Sequence, residues 1–269
     1  MSNKFSEGVV AESKRDYIKK LALHGTRIDG RGFDDVRPIN IEKGFIKRAD
    51  GSALVQLGDT KVLVGVKIEP GEPFPDTPNS GIMTTNVELV PLASPTFEPG
   101  PPSEEAIELA RVVDRGIRES HAIDLEKLVI EEGEKVWVVF IDMHVLDYHG
   151  NLFDACGIAA LAALEDATVP AEKFGVGEDF KLPLVHYPVP VTFAKIGDWI
   201  VADPNLDEES IAKARLTVTT NEEGKINAMQ KGLFGTFTYD EVKKVINRSL
   251  DIGQKVREKI LGGADGEEN

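Results

Sequence analysis

The sequence is poor in cysteine, in aromatic residues and in positive charge. Its 269 residues include a single cysteine, Cys156, which excludes an intramolecular disulfide and a cysteine-rich zinc site and predicts a reducing, cytoplasmic location. Acidic residues outnumber basic residues by 46 to 31, and the net charge is -15. Proteins that bind nucleic acid on their own are usually basic. Any contact with RNA or DNA would therefore come from a local group of arginines, or beside a more basic partner.

Several other signals are missing. No run of about 18 apolar residues occurs, so the sequence predicts no membrane span. The first 20 residues are charged and carry no apolar segment of the kind found in signal peptides. Neither a GxxxxGK[ST] loop nor a GxSxG motif is present, which argues against a P-loop nucleotide site and a serine hydrolase. Hydrophobic residues still make up 41% of the chain, enough for a sizeable core.

The first part of the chain predicts a mixture of strands and helices. A helix is expected over Val9–Leu23 with Gly25 as its C-cap, a second from the N-cap Ser103 to about His121, and a third over Phe153–Ala167. Between them lie Val- and Ile-rich stretches bounded by turn residues. The predicted strands are Val36–Ile41, Ala53–Leu57, Val62–Ile68, Val87–Leu92 and Val136–Leu146.

The pattern then starts again, which predicts a duplicated α+β unit. Strands are expected at Val189–Ile196, Trp199–Ala202, Leu216–Thr220 and Ile226–Gln230, followed by a helix over Tyr239–Ile260. Ala53–Val66 and Val191–Ala202 share the order strand, Gly-Asp, strand, although Gly-Asp suits any tight turn and two unrelated hairpins would look alike. The predicted division is an N-terminal helix (1–26), a first half (27–170), a linker (171–186), a second half (187–260) and a disordered acidic tail (261–269).

One cluster of polar residues could hold a metal ion. Asp142, His144, Asp147, His149 and Asp154 fall within a short stretch, and Asp142 and His144 would point to the same face of a strand. Imidazole and carboxylate groups together can bind a metal and activate water, as in a metal-dependent hydrolase. The alternative is that these are ordinary polar residues at the end of a strand before a turn.

A row of arginines lies on the second predicted helix. Arg111, Arg115 and Arg118 are spaced by four and three residues, which places them on one helical face. A guanidinium offers paired donors to a phosphate group, so the row could meet a nucleic-acid backbone. The alternative is a set of surface ion pairs with nearby acids, namely Glu104, Glu108, Asp114 and Glu119.

From about Arg27 to Lys255, the chain resembles the RNase PH family of exoribonucleases. The resemblance rests on several motifs in matching order: Arg27 to Arg31 (RIDGR), Gly51 to Val62 (GSALVQLGDTKV), Glu108 to Arg118 (ELARVVDRGIR) and His149 to Ala155 (HGNLFDA). It implies a duplicated βαβα fold, similar to domain 2 of ribosomal protein S5, with helices packed on mixed sheets. Active members of this family degrade RNA from its 3′ end by phosphorolysis.

Within the family, the chain most resembles the larger, non-catalytic RNase PH-like subunit of the archaeal exosome ring. This resemblance implies pairing with a catalytic RNase PH-like subunit. Three such heterodimers would form a hexameric ring that carries a trimer of RNA-binding cap subunits and acts on single-stranded RNA. It implies neither a cofactor nor a metal for this chain.

The resemblance also identifies which residues differ from those of active members. Active members hold the attacking phosphate with a Gly-Thr/Ser-Arg sequence, and the corresponding positions here are Leu152 and Phe153, followed by Asp154, which would repel an anion. The catalytic carboxylate corresponds to Arg215. In inactive subunits, arginines of the helix that matches Glu104–His121 contact RNA, which points to Arg111 and Arg115 and leaves Arg118 outside the prediction. The competing hypotheses are an active phosphorolytic enzyme that uses other carboxylates and a metal-dependent hydrolase built on Asp142 and His144.

Overall fold

Two larger β-sheets, a short two-stranded sheet and five α-helices make up the computed structural model, which describes residues 14–262. The helices are α1 (residues 14–23), α2 (Glu104–Glu119), α3 (Leu152–Asp166), α4 (Leu206–Ile211) and α5 (Tyr239–Leu261). The strands are β1 (Ile39–Lys43), β2 (Gly51–Leu57), β3 (Thr60–Gly71), β4 (Ile82–Leu89), β5 (Val129–Glu131), β6 (Lys135–Asp147), β7 (Thr168–Val169), β8 (Phe180–Lys181), β9 (Val189–Ile196), β10 (Trp199–Ala202), β11 (Ala214–Thr220) and β12 (Ile226–Gly232). None of the described helices is long and apolar enough to cross a membrane.

Both sheets are built mainly from antiparallel pairs. The first has the order β1-β2-β3-β6-β4, with β5 also paired to β6, and its one parallel pair joins β4 to β6. The second has the order β10-β9-β11-β12 and is antiparallel throughout. A short pair of strands, β7 and β8, lies between the two halves. The predicted α+β fold with helices packed on mixed sheets is confirmed.

Helices α2 and α3 lie between the two sheets, and α5 covers the outer face of the second sheet. Helix α3 is buried on all sides, since every residue from Phe153 to Leu164 is buried. Small residues allow this close packing. A Cβ atom on Gly51 would lie 2.5 Å from the carbonyl oxygen of Ala163, and one on Gly157 would lie 2.4 Å from the Pro190 side chain. A helix without a polar face fits a position between two apolar sheets.

Most predicted elements are confirmed, with shifted ends. Ser103 caps α2, since its side chain accepts a hydrogen bond from the backbone of Ala106. The repeated strand-turn-strand pattern forms a hairpin in each half, turned at Gly58 and Gly197 with φ of 58° and 64°. The first residues of the predicted Val9–Leu23 helix and all but the start of the predicted acidic tail lie outside the described residues.

The prediction for the fourth strand was wrong at both ends, and α4 was missed. Strand β4 runs over Ile82–Leu89 rather than Val87–Leu92, because its outward residues Thr84 and Asn86 are polar on an edge strand and weaken the apolar pattern. Helix α4 has only six residues and begins with a capping box between Asn205 and Glu208. Its acidic first turn had no apolar periodicity to reveal it.

A buried ionic network joins the two halves of the chain. The carboxylate of Asp203, which is fully buried, accepts hydrogen bonds from Arg37, Arg31 and Asn151 at 2.7 to 2.9 Å. Burial alone would raise the pKa of Asp203, but the hydrogen bonds and charge of Arg37 outweigh it and hold this pKa below its ordinary value. Since Arg37 comes before the first sheet and Asp203 follows β10, the network fixes one half against the other.

We expect Asp203→Asn to lower the free energy of unfolding by about 3–5 kcal/mol, because it leaves buried arginines without their counter-charge. Asn tolerates the left-handed backbone of this position, where φ is 46°, so the change isolates the charge. Denaturant unfolding of both proteins measures the difference.

The loss of stability in Asp203→Asn should depend on pH in a defined way, and a second variant serves as a control. Because the folded pKa of Asp203 is lowered, its contribution is present above the unfolded pKa of about 3.9 and is lost as the pH falls through the lower folded value. The deficit of the variant should thus be constant from neutral pH down to about pH 5 and shrink below about pH 4. Glu69→Gln, which breaks the exposed Lys67–Glu69 pair, should cost less than about 1 kcal/mol. Equal losses in the two variants would contradict this account.

Candidate functional site

Helix α2 presents one exposed stripe beside a groove. Its apolar face, which includes Leu109, Val113 and Ile117, is buried between the sheets. The opposite side carries residues three or four positions apart, which share one face of the helix: Glu108, Arg111, Arg115 and Arg118. Packing of the apolar face thus determines which way the arginine row points.

The three arginines of the row differ in their contacts. Arg118 donates to the carboxylate of Asp114 at 2.9 and 3.0 Å and to the carbonyl oxygen of Met83 at 2.9 Å. Arg111 and Arg115 are exposed, and within residues 14–262 neither has a carboxylate oxygen within 4.0 Å. They line a groove of about 320 Å³ between α2 and the edge strand β4. Within the described part of the chain, Arg111 and Arg115 thus present guanidinium groups without an ion-pair partner, whereas Arg118 holds α2 to β4.

The positions that the family resemblance singled out lie together around a second cavity. Leu152 and Phe153 at the start of α3 and Arg215 at the start of β11 all line a cavity of about 240 Å³. Arg215 is more than 60 positions from Leu152 and Phe153 in sequence, so its convergence with them supports the alignment that paired these residues with the phosphate-binding and carboxylate positions. The cavity also contains Tyr148 and Glu209.

Arg215 is held on two sides. Its guanidinium carbon lies 4.0 Å from the centre of the Phe153 ring, which is a cation–π contact. One of its nitrogens donates to Glu108 at 2.8 Å. The residue opposite Arg215 on the neighbouring strand β12 is Gly232, and a Cβ atom there would lie 2.6 Å from the guanidinium. The absence of a side chain at Gly232 therefore leaves room for Arg215 to lie flat over the sheet.

Apart from the Tyr148 hydroxyl, the other polar side chains of the cavity are carboxylates. Burial raises the pKa of Glu209, against the hydrogen bonds that it accepts from the backbone of Asn151 and from the Tyr148 hydroxyl, both at 2.9 Å. Burial also raises the pKa of Tyr148, and the nearby Glu209 adds to this effect. The cavity lining has carboxylates at Glu105, Glu108 and Glu209, and its single cation, Arg215, is already paired. Such a lining disfavours an anion like phosphate.

The cluster considered as a metal site does not come together. Asp142 is exposed on β6, and His144 faces Glu88 at 3.3 Å. Asp154 is buried on α3, where it accepts hydrogen bonds from Asn151 and Thr192, and burial raises its pKa to about 7. In the described part of the chain, no three His, Cys, Asp or Glu side chains converge in a way that could hold a metal ion. The geometry therefore gives no support to the hypothesis built on Asp142 and His144.

Sequence reasoning missed how Glu108 is used. It placed Glu108 among acids that would pair with arginines of the same helix, whereas its oxygen Oε1 accepts from Arg215 and from Gln230 at 3.1 Å. Both partners come from the second sheet, more than 100 residues along the chain. No local pattern signals a contact of that range.

Comparison with known proteins places this geometry in a family. Residues 35–170 match domain 1 of the 3′ exoribonuclease family (RNase PH), and residues 186–252 match its domain 2. The chain is 60% identical over 257 residues to the exosome complex component Rrp42 of Methanocella arvoryzae, a match that covers 96% of this chain and 99% of that protein. It is 57% identical over 258 residues to the protein of the same name from Thermoplasma volcanium, with the same coverage.

Solved structures agree with the sequence matches. The chain is similar to one in the Archaeoglobus fulgidus exosome with RNA bound to the active site, at 52% identity and a TM-score of 0.91, covering 93% of this chain and 99% of that one. A chain of an archaeal exosome core is 48% identical with a TM-score of 0.88, covering 95% and 99%. The chain therefore belongs to the 3′ exoribonuclease (RNase PH) family and is similar throughout its length to archaeal Rrp42 exosome components.

Proposed function

We propose that this chain is a non-catalytic subunit of a cytoplasmic archaeal exosome, paired with a catalytic RNase PH-like subunit. The observation that carries the proposal is the cavity in which Leu152, Phe153 and Arg215 meet. Phosphorolysis requires a bound phosphate ion and a catalytic carboxylate, and this cavity offers an apolar pair and a cation that is already neutralised. The partner would supply both missing groups, and a trimer of RNA-binding cap subunits would complete the ring.

The role left to this chain is to help hold the 3′ end of single-stranded RNA. Arg111 and Arg115 support it, because they are exposed, unpaired within residues 14–262 and placed side by side along a groove. Guanidinium groups bind phosphate through charge-assisted hydrogen bonds. A local pair of cations also reconciles RNA binding with a net charge of -15, since the acidic remainder would lie away from the RNA path.

An active enzyme in its own right is the second candidate. Glu209 is the observation that favours it, because a partly buried carboxylate with a raised pKa is a common feature of catalytic acids. Its two hydrogen bonds, however, go to Tyr148 and to the backbone at Asn151, and the cavity beside it has no free cation for phosphate. We therefore rank this candidate below the non-catalytic subunit.

The isolated chain should release no nucleoside diphosphate from RNA in the presence of inorganic phosphate. The physical reason is the loss of both the phosphate-binding pair and the carboxylate. The assay would compare the pure chain with the complex formed after adding the catalytic subunit, at equal concentrations. Phosphate-dependent product from the chain alone, at a rate like that of the complex, would favour the second candidate.

A defined assembly should require the partner. Leu54 and Leu63 face each other on the side of the first sheet away from α2 and α3 and remain partly accessible, as interface residues do. Mass measurement after co-expression should show a hexameric ring of three heterodimers. A chain that stays monomeric beside the catalytic subunit in size-exclusion runs would contradict this expectation.

Arg111→Ala combined with Arg115→Ala should weaken RNA binding by the assembled complex. Each lost charged hydrogen bond costs about 1.5–3 kcal/mol where the site is desolvated. The slope of log affinity against log salt concentration should also fall by about 0.7 per lost phosphate contact on a single strand. Fluorescence titration with single-stranded RNA at several salt concentrations measures both quantities.

A matched control is Lys47→Ala combined with Arg48→Ala. These residues are also exposed and lie in the β1–β2 turn, and their removal changes the net charge equally. RNA affinity and salt slope should stay close to those of the unaltered complex, and ring mass should be unchanged in both variants. If the two double variants lose RNA affinity equally, the loss of positive charge as such, rather than of a specific contact, explains the weaker binding.

A further inference from the structure

Among residues 14–262, Arg111 forms no ion pair, although two acids lie within one helical turn of it. Glu108 precedes it by three residues and Asp114 follows it by three. Opposite charges at this spacing on a helix attract each other and commonly form ion pairs. Both carboxylates are instead bound to other arginines, and this explains why Arg111 remains available.

The two acids are held by different parts of the fold, since Asp114 lines the groove and Glu108 lines the cavity. Asp114 accepts from Arg118 and from the Thr85 hydroxyl on β4. Glu108 accepts from Arg215 on β11 and Gln230 on β12. Arg118 belongs to the same helix, but Arg215 comes from the second sheet, so its hold on Glu108 depends on how the two halves pack.

Arg215 is well placed for this task because its side chain has little freedom. Only 17% of it is exposed, its guanidinium stacks on Phe153, and its cross-strand neighbours are Gly232 and Ala194. Stacking and burial leave its donor pointing at Glu108. A mobile surface cation would hold the carboxylate only part of the time.

We propose that Arg215 is a positioning residue that holds Glu108 away from Arg111 and so keeps Arg111 free for an RNA phosphate. The proposal rests on the proposed role of Arg111 in RNA binding. A released Glu108 would act in two ways, since it would pair with Arg111 and would place an unneutralised carboxylate beside the phosphate path. Arg215, which stands where active members have the catalytic acid, would then help to keep Arg111 available for RNA.

The test uses the assembled complex with the catalytic subunit and single-stranded RNA. Arg215→Gln should reduce RNA affinity by about threefold to tenfold and lower the salt slope, because Arg111 becomes occupied by Glu108. Adding Glu108→Gln to that variant should restore both affinity and salt slope to near their original values, since the neutral side chain no longer competes. Removing the partner of a broken ion pair can also restore stability, so denaturant unfolding of the same variants separates a change in RNA affinity from a change in stability.

Lys43→Gln is the matched control. Lys43 pairs with Glu165 at 2.6 Å, and the exposures of these side chains, 20% and 34%, resemble those of Arg215 and Glu108, 17% and 38%. The pair lies at β1, the edge of the first sheet opposite β4, so RNA affinity should not change. Unchanged RNA affinity in Arg215→Gln, or no rescue by Glu108→Gln, would overturn the proposal.

The result is separable from a failure of the proposed function. If Arg111→Ala with Arg115→Ala weakens RNA binding while Arg215→Gln does not, the arginines bind RNA and only the positioning role is wrong. If the double arginine variant binds RNA normally, the proposed function of Arg111 fails first. Ring mass measured for every variant ensures that the comparison concerns intact complexes.

Discussion

The packing of α2 and α3 between two sheets is the constraint on which the rest of the structure depends. Helix α3 has no polar face to offer, and Gly51 and Gly157 bring it close to both sheets. Helix α2 beside it keeps only one accessible stripe, so its apolar face determines where its arginines point. A shift of either sheet would rotate or displace that stripe. The buried network around Asp203 opposes such a shift, because it ties the first half to the strand pair β9–β10.

The same packing explains why the altered cavity and the arginine groove are not independent. The cavity with Phe153 and Arg215 lies at one end of α2, and the groove with Arg111 and Arg115 lies along the same helix. Glu108 links the two, since it faces the cavity and stands one turn before Arg111. Under the proposed alignment, in which Arg215 stands at the family's carboxylate position, the residue there contacts the helix that carries Arg111 and Arg115. An acid at this position would repel Glu108, whereas Arg215 attracts it and forms a partly buried ion pair.

Much of the fold could be predicted from the sequence because its core elements carry strong periodic patterns. Strands β9 and β10 were predicted residue for residue, and α2, α3 and α5 to within two residues at each end. The failures share a cause, which is that tertiary contact rather than local pattern specifies the element. Strand β4 has a polar outward side and is recognisable only by its pairing with β6, and α4 is too short to show a period. The pairing of Glu108 with Arg215 could not be found, since nothing in the local sequence distinguishes it from a pair within the helix.

Resemblance to a family identified which positions to compare, and the structure showed which of these positions lie together. Leu152, Phe153 and Arg215 were singled out by alignment alone. If these positions correspond to one site in active members of the family, they should line one cavity here, and they do. The metal hypothesis, by contrast, rested on proximity in sequence. Asp142 and His144 do share one face of β6, but His144 faces Glu88 and Asp154 is buried on α3, so the cluster does not come together. When a strand is followed by a buried helix, closeness of residues along the chain is thus weak evidence that they form a metal site. Positions far apart in sequence that meet in one cavity are stronger evidence, because only the tertiary fold can bring them together.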